Sequence, residues 1–112
     1  MNHFDQTSEF RKEFKRLFKR YKTLDDDFKK FKGILAFSPP GVGKNFVIIH
    51  VAKEVKVLKA RMACRSLNSR SLRIIYSYSE KEKQIEFIEI YFKGDKENED
   101  RQRIKRYLAN TR

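Results

Sequence analysis

The sequence has one cysteine, no tryptophan, four glycines and two prolines, which are adjacent. A single cysteine, Cys64, excludes a disulfide within the chain, so stability has to come from a packed core. No apolar run approaches the roughly 20 residues that a transmembrane helix needs, and the opening segment MNHFDQTSEF lacks the apolar stretch of a secretion signal. Without repeats or low-complexity segments, we expect one soluble, cytoplasmic domain over residues 1–112.

Acidic residues are scarce relative to basic ones. Lys and Arg number 27 against 15 Asp and Glu, which gives a net charge of +12. Such an excess indicates an anionic partner: nucleic acid, a ribosome, an acidic protein or a membrane surface. Ten Phe residues argue against a disordered chain. The two histidines, His3 and His50, are not spaced as metal ligands with Cys64, so we expect no metal and no other cofactor.

Hydrophobic periodicity predicts two helices between residues 7 and 41 and strands between residues 46 and 92. A short edge strand is predicted over 2–6, followed by a helix from Thr7 or Ser8 to about Tyr21. Thr23 and Asp26 have the spacing of a capping box for a second helix. Strands are predicted at 46–51, 55–63, 72–78 and 85–92, and a charged helix at 97–108. This order predicts an α+β domain in which a helical pair packs on the apolar face of a curled antiparallel sheet of three to four strands, with a C-terminal helix on the same face.

Three predicted strands alternate apolar residues with cations. Because successive side chains of a strand point to opposite faces, each strand gives an apolar face to the core and its cations to the other. Ile88, Ile90 and Phe92 are thus expected on the apolar face. Cations also commonly solvate the exposed face of an antiparallel sheet, and this interpretation stays open. The residues expected on the polar face are Lys59, Arg61, Arg73, Glu89, Tyr91 and Lys93.

These segments resemble the RelE/ParE superfamily, the toxins of type II toxin–antitoxin systems. The resemblance rests on Lys59-Ala60-Arg61, on SLRIIY at 71–76 and on IEFIEIYFK at 85–93, and it covers most of the chain in element order. In the RelE branch it implies a ribosome-dependent mRNA endoribonuclease that inhibits translation. The expected partners are mRNA, the ribosome and a cognate antitoxin that holds the toxin inactive in a hetero-oligomer.

The resemblance also implies roles for particular residues. Lys59 and Arg61 match a lysine pair on one strand, with Arg in place of the second Lys, and Arg73 matches the arginine of the next strand. Lys93 and Tyr91 are candidates for the basic and aromatic residues near the end of the last strand. The segment 94–100 is mostly acidic where nuclease relatives are basic.

RNA cleavage through the 2′-hydroxyl needs a base, cations to stabilise the phosphorane and an acid for the leaving oxygen. Arg61 and Arg73 suit bidentate phosphate binding. Lys59 is the expected base because neighbouring cations can lower the pKa of a lysine. Glu89 is the alternative base, or an ion-pair partner of Arg73 or Arg61. Tyr91 is either a platform for base stacking or a half-buried strand residue. Further RNA-binding residues are expected to be Lys15, Lys19 and Lys56.

Three alternatives are weighed against this interpretation. A non-enzymatic nucleic-acid or ribosome-binding module would use the same cations without chemistry. A gyrase-targeting ParE-like toxin would have the fold without the nuclease residues, which the set Lys59, Arg61 and Arg73 argues against. The segment 38–45 resembles a phosphate-binding loop, but Ser38 and Asn45 replace the required Gly and Ser or Thr, and the flanking elements are in the wrong order.

Overall fold

The computed structural model describes residues 3–41, 43–68 and 70–110. Asn2, at the predicted start of the first strand, lies outside these residues, as do Val42 and Ser69 of two predicted turns. The helices are α1 (Ser8–Arg20), α2 (Leu24–Phe37) and α3 (Arg101–Ala109), and the strands are β1 (His3–Gln6), β2 (Phe46–Ala52), β3 (Val55–Ala63), β4 (Ser71–Ser79) and β5 (Gln84–Phe92), with 3₁₀ turns at Gly43–Asn45 and Arg65–Leu67. The predicted α+β class is confirmed.

The strands form one sheet in the order β1-β5-β4-β3-β2. β2 to β5 are antiparallel, as short connections require, whereas β1 runs parallel to β5. The prediction of three to four antiparallel strands therefore falls one strand short, and it did not foresee that the sheet is mixed. The direction of β1 had no local signal, because it depends on where a four-residue segment pairs along the sheet.

Helices α1 and α2 cover one face of the sheet. α1 begins as predicted, because Thr7 Oγ1 accepts a hydrogen bond from Phe10 N at 3.2 Å. α2 begins directly after Thr23 as predicted, but the capping box does not form: Thr23 makes no side-chain capping hydrogen bond, and its hydroxyl donates to Asp27 at 2.8 Å. Each fully buried Leu, Ile or Phe contributes roughly 1.5–3 kcal/mol. The core between these helices and the sheet includes Phe10, Leu17, Leu24, Phe28, Leu35, Leu58, Ile74, Tyr76, Phe87 and Ile90.

A β-bulge in β5 changes the faces that its side chains take. Ile75 pairs with Glu89 and Tyr76 with Phe87, so Ile88 is an extra residue between two paired positions. Ile88 packs on the opposite face with Ile75, while Ile90 remains in the core beneath α1 and α2. The expectation that Ile88 and Ile90 share a face is wrong, because the alternation was counted through this irregularity.

Helix α3 packs on the second face, against Val57, Ile75 and Ile88. The expectation that all helices share one face is therefore wrong for α3. The helix also begins at Arg101 rather than at 97, because the Asp100 side chain caps it by accepting from Arg103 N at 3.1 Å. Within the described ranges, no helix is long and apolar enough to cross a membrane.

Candidate active site

The second face of the sheet has two halves. α3 covers the apolar half, and the other half is an open groove of about 290 Å³ that we call the cationic groove. Its walls come from β3 and β4, from the segment around β2, and from the connection between β5 and α3 at 93–100, here called the β5–α3 loop. Five cations and one carboxylate line it among Lys44, Asn45, Val47, Ile49, Lys59, Arg61, Arg73, Lys93 and Glu99.

Arg61 and Arg73 lie directly opposite each other on antiparallel neighbours. Side chains in such positions have Cβ atoms about 4.5–5.5 Å apart, and like charges there repel. Neither arginine forms an ion pair with any part of the chain that the structure describes. Arg73 is half-buried, and its Nη1 donates to Ser71 Oγ at 3.0 Å, which orients the guanidinium. An anion bound between the two side chains would relieve their repulsion.

Lys59 forms an ion pair with the carboxylate of the groove. Its Nζ donates to Glu99 Oε1 at 2.9 Å. Burial acts to lower the pKa of Lys59, but the Glu99 hydrogen bond and the nearby Tyr91 outweigh it, so the pKa is raised. This is opposite to the lowered pKa that the sequence suggested. Lys59 is therefore a protonated charge donor in this structure, not a free base.

Contrary to expectation, Glu89 does not pair with Arg61 or Arg73. Its side chain is fully buried, forms an ion pair with Lys96 and accepts a hydrogen bond from Asp100 N at 2.9 Å. A third link, from Arg20 to Asp95 at 2.6 Å, ties the β5–α3 loop to α1. Glu89 thus anchors the loop that forms one wall of the groove.

Tyr91 is also buried, with 5% of its surface exposed. Lys96 Nζ lies 5.1 Å from the centre of its ring, and its hydroxyl is buried. Burial raises the pKa of the phenol, with the Lys59 ammonium acting in the opposite direction. A side chain this covered offers no open face for stacking on a base.

The three expected RNA-binding lysines lie away from the groove. Lys15 and Lys19 are exposed on α1, on the other side of the sheet. Lys56 has the strand parity of Leu58 and lines a separate cavity with Tyr78. His50 is exposed and lines a neighbouring cavity of about 460 Å³ that it shares with Glu99 and α3.

Sequence reasoning missed the three other polar residues of the groove, Lys44, Asn45 and Glu99. The first two belong to the segment that resembles a phosphate-binding loop, which here runs from a helix through a 3₁₀ turn into a strand. That segment folds back onto the sheet, because Tyr76 donates to Pro39 O at 2.8 Å and the Phe46 ring lies where a side chain at Gly41 would be. The only feature of the sequence that pointed to Glu99 was the acidic composition of residues 94–100.

Comparisons with known proteins define the fold. No protein-family model matches the sequence, and no curated protein matches it significantly. Among solved structures, a chain in the crystal structure of the archaeal RelE–RelB complex from Pyrococcus horikoshii OT3 is similar with a TM-score of 0.65. The match covers 83% of this chain and 96% of that chain at 20% identity. The protein is thus a small α+β protein with a cationic groove. More specifically, it has the RelE-like toxin fold.

Proposed function

We propose that this protein is the toxin of a type II toxin–antitoxin system and a ribosome-dependent, metal-independent mRNA endoribonuclease. The observation that carries the proposal is that Arg61 and Arg73, which form no ion pair among the described residues, face each other in a groove of the RelE-like fold. Two guanidiniums in this arrangement can grip one phosphate from two sides, each through a bidentate contact.

The scissile phosphate would lie between Arg61 and Arg73. As the 2′-oxygen attacks phosphorus, negative charge grows on the phosphorane oxygens, and preorganised cations stabilise that charge more than they stabilise the substrate. Lys93 and Lys44 line the same groove and would contact the flanking phosphates. Lys59 adds a third charge donor on β3. The products are a 2′,3′-cyclic phosphate and a 5′-hydroxyl.

The proposed partners are the translating ribosome with its mRNA in the cytoplasm, and a cognate antitoxin in a hetero-oligomeric complex. The Pyrococcus horikoshii structure with the same fold is a complex of RelE with RelB. The net charge of +12 makes this chain a suitable partner for an acidic antitoxin segment that folds as it binds. Such a segment would neutralise the groove by covering it, and co-expression should relieve growth arrest.

The test is cleavage of mRNA by purified ribosomes during translation, with products mapped by primer extension. Arg73→Ala should slow cleavage by about 10²–10³-fold, the usual cost of one charge-stabilising donor, with an unchanged circular dichroism spectrum. Arg73→Lys should rescue poorly, since an ammonium cannot replace a bidentate fork. Arg11→Ala is the matched control, because Arg11 is exposed on α1.

Wild-type cleavage by Arg73→Ala would contradict the proposed chemistry. If the wild-type chain bound ribosomes but cleaved no mRNA, the protein would be a non-enzymatic ribosome-binding module. Inhibition of gyrase by the wild-type chain, without mRNA cleavage, would instead support the ParE-like alternative.

A further inference from the structure

Glu99 is the one carboxylate among the described residues that line the cationic groove. Its side chain is only 9% exposed; Oε1 accepts from Lys59 Nζ at 2.9 Å and Oε2 lies 3.8 Å from Arg101 Nε. Burial acts to raise the pKa of Glu99, but the Lys59 hydrogen bond and the two cations outweigh it, so the pKa is lowered. The carboxylate is therefore ionised and able to accept a proton at neutral pH.

The backbone around Glu99 is held on both sides. The next residue, Asp100, donates its N–H to the buried Glu89 and caps α3 with its side chain. Earlier in the β5–α3 loop, Lys96 pairs with Glu89 and Asp95 with Arg20. A side chain on a segment anchored at these points is placed before substrate arrives, which is what a catalytic group requires.

The other base candidates are unsuitable in this structure. Glu89 is fully buried and engaged in holding the loop. Lys59 is protonated, and the Tyr91 hydroxyl is buried. His50 lines the neighbouring cavity and not the cationic groove. Glu99 alone combines a charge state that accepts a proton with a position beside the proposed phosphate ligands.

We propose that Glu99 is the general base of the reaction, an inference that rests on the proposed function. Its carboxylate takes the proton of the 2′-hydroxyl as the 2′-oxygen forms its bond to phosphorus. The bond from phosphorus to the 5′-oxygen breaks, and this oxygen takes a proton from water. Lys59, released from Glu99 as the carboxylate is protonated, turns its charge to the phosphorane.

A purely electrostatic role for Glu99 makes the opposite prediction. A carboxylate among five cations weakens the attraction of the groove for phosphate, so its neutralisation should tighten RNA binding and leave cleavage unchanged or faster. A base that is neutralised should bind as well or better and cleave much more slowly. Measuring both the cleavage rate and the RNA affinity therefore distinguishes a general base from a purely electrostatic role.

The experiment uses the full chain on translating ribosomes under single-turnover conditions with toxin in excess. Glu99→Gln should lower the cleavage rate by about 10²–10⁴-fold, the usual contribution of general acid–base catalysis, with ribosome binding unchanged or tighter. Glu99→Asp should retain intermediate activity because it keeps the charge with a shorter reach. Glu97→Gln is the control, since Glu97 is an exposed carboxylate of the same loop that does not line the groove.

A second substrate tests whether Glu99 acts as the general base or as a general acid. An mRNA with a 5′-thio leaving group at the cleavage site needs no proton on departure, so it removes the need for a general acid but not for a general base, and it should not rescue Glu99→Gln. Rescue, or wild-type cleavage by Glu99→Gln, would overturn the assignment. If Arg73→Ala is inactive while Glu99→Gln is fully active, only this inference fails; if the wild-type chain does not cleave, the proposed function fails.

Discussion

Removing the carboxylate of Glu13 should destabilise the protein strongly, although Glu13 lies on a helix surface rich in charge. Arg103 of α3 binds it through two hydrogen bonds, at 3.0 and 2.7 Å, and both side chains are almost buried, with 12% of Arg103 and 11% of Glu13 exposed. Glu13 also accepts from Ile90 N, and Arg103 donates to Ile88 O at 3.1 Å. The pair thus joins α1 and α3 to each other and to backbone groups of β5.

Breaking a buried ion pair by removing one partner costs about 3–5 kcal/mol. Arg103 keeps two weaker contacts, with Glu9 at 3.6 Å and Asp100 at 3.9 Å, so the lower part of this range applies to Glu13→Ala. Loss of the acceptor for Ile90 N adds up to about 1 kcal/mol. We therefore expect a loss of about 3–4 kcal/mol, or roughly 12–16 °C in Tm for a domain of this size. Glu13→Gln keeps that acceptor and should lose less.

Urea unfolding followed by circular dichroism measures these differences as shifts of the midpoint at constant slope. Glu9→Ala is the matched control on the same helix. Its carboxylate also contacts Arg103 but is 47% exposed, so its removal should cost less than about 1 kcal/mol. A Glu13→Ala midpoint indistinguishable from that of Glu9→Ala would refute the idea that this buried pair holds α3 on the sheet.

Three further outcomes follow from the structure. Lys15→Ala or Lys19→Ala should weaken ribosome binding and reduce the slope of log affinity against log salt concentration by about one unit, while bound mRNA is still cleaved. Loss of cleavage with intact binding would instead place the active face on α1. Cys64 is 1% exposed and burial raises the pKa of its thiol, so iodoacetamide at pH 8 should label it far more slowly in the native protein than in urea; equal rates would show an accessible thiol. Burial acts to raise the pKa of Asp27, but hydrogen bonds from Thr23 and Arg65 outweigh burial, so the pKa is lowered. The ionised Asp27 side chain therefore stabilises the folded state at pH values above its unfolded pKa, near 3.9, and this stabilisation is lost as the pH falls through the folded pKa. Asp27→Asn should therefore be about 1–2 kcal/mol less stable than wild type at pH 7, and this gap should shrink at pH 3 in urea titrations.

The strands with regular alternation could be predicted closely. Residues 55–63 were predicted as a strand, and β3 is Val55–Ala63. Parity is a local property of extended backbone, so it also placed Lys59, Arg61 and Arg73 on one face without knowledge of the tertiary fold. The capping threonine of α1 was equally predictable, because the threonine and the N–H that donates to it lie within one turn of chain.

Features that depend on distant partners could not be predicted. The side of the sheet that α3 covers depends on Ile88, and the face of Ile88 depends on a bulge that no local pattern in β5 marks. Glu99 meets Lys59 across 40 residues of sequence, and the composition of an acidic loop does not tell which carboxylate enters a groove. The expected role of Glu89 failed for the same reason: its partners, Lys96 and the Asp100 amide, belong to a loop whose path was unknown.

The bulge connects the fold to the proposed chemistry. The extra residue, Ile88, packs with Ile104 of α3 on the second face of the sheet, and Glu13 and Arg103 bind the backbone groups of Ile90 and Ile88. Directly after it, Glu89 lies beneath the β5–α3 loop and holds the Asp100 amide at the start of the same helix. The loop between these two attachments has little freedom, and it carries Glu99 to the edge of the groove beside Lys59. A change that regularised β5 would therefore loosen α3 and displace Glu99 together, while Arg61 and Arg73, on β3 and β4, would keep their positions.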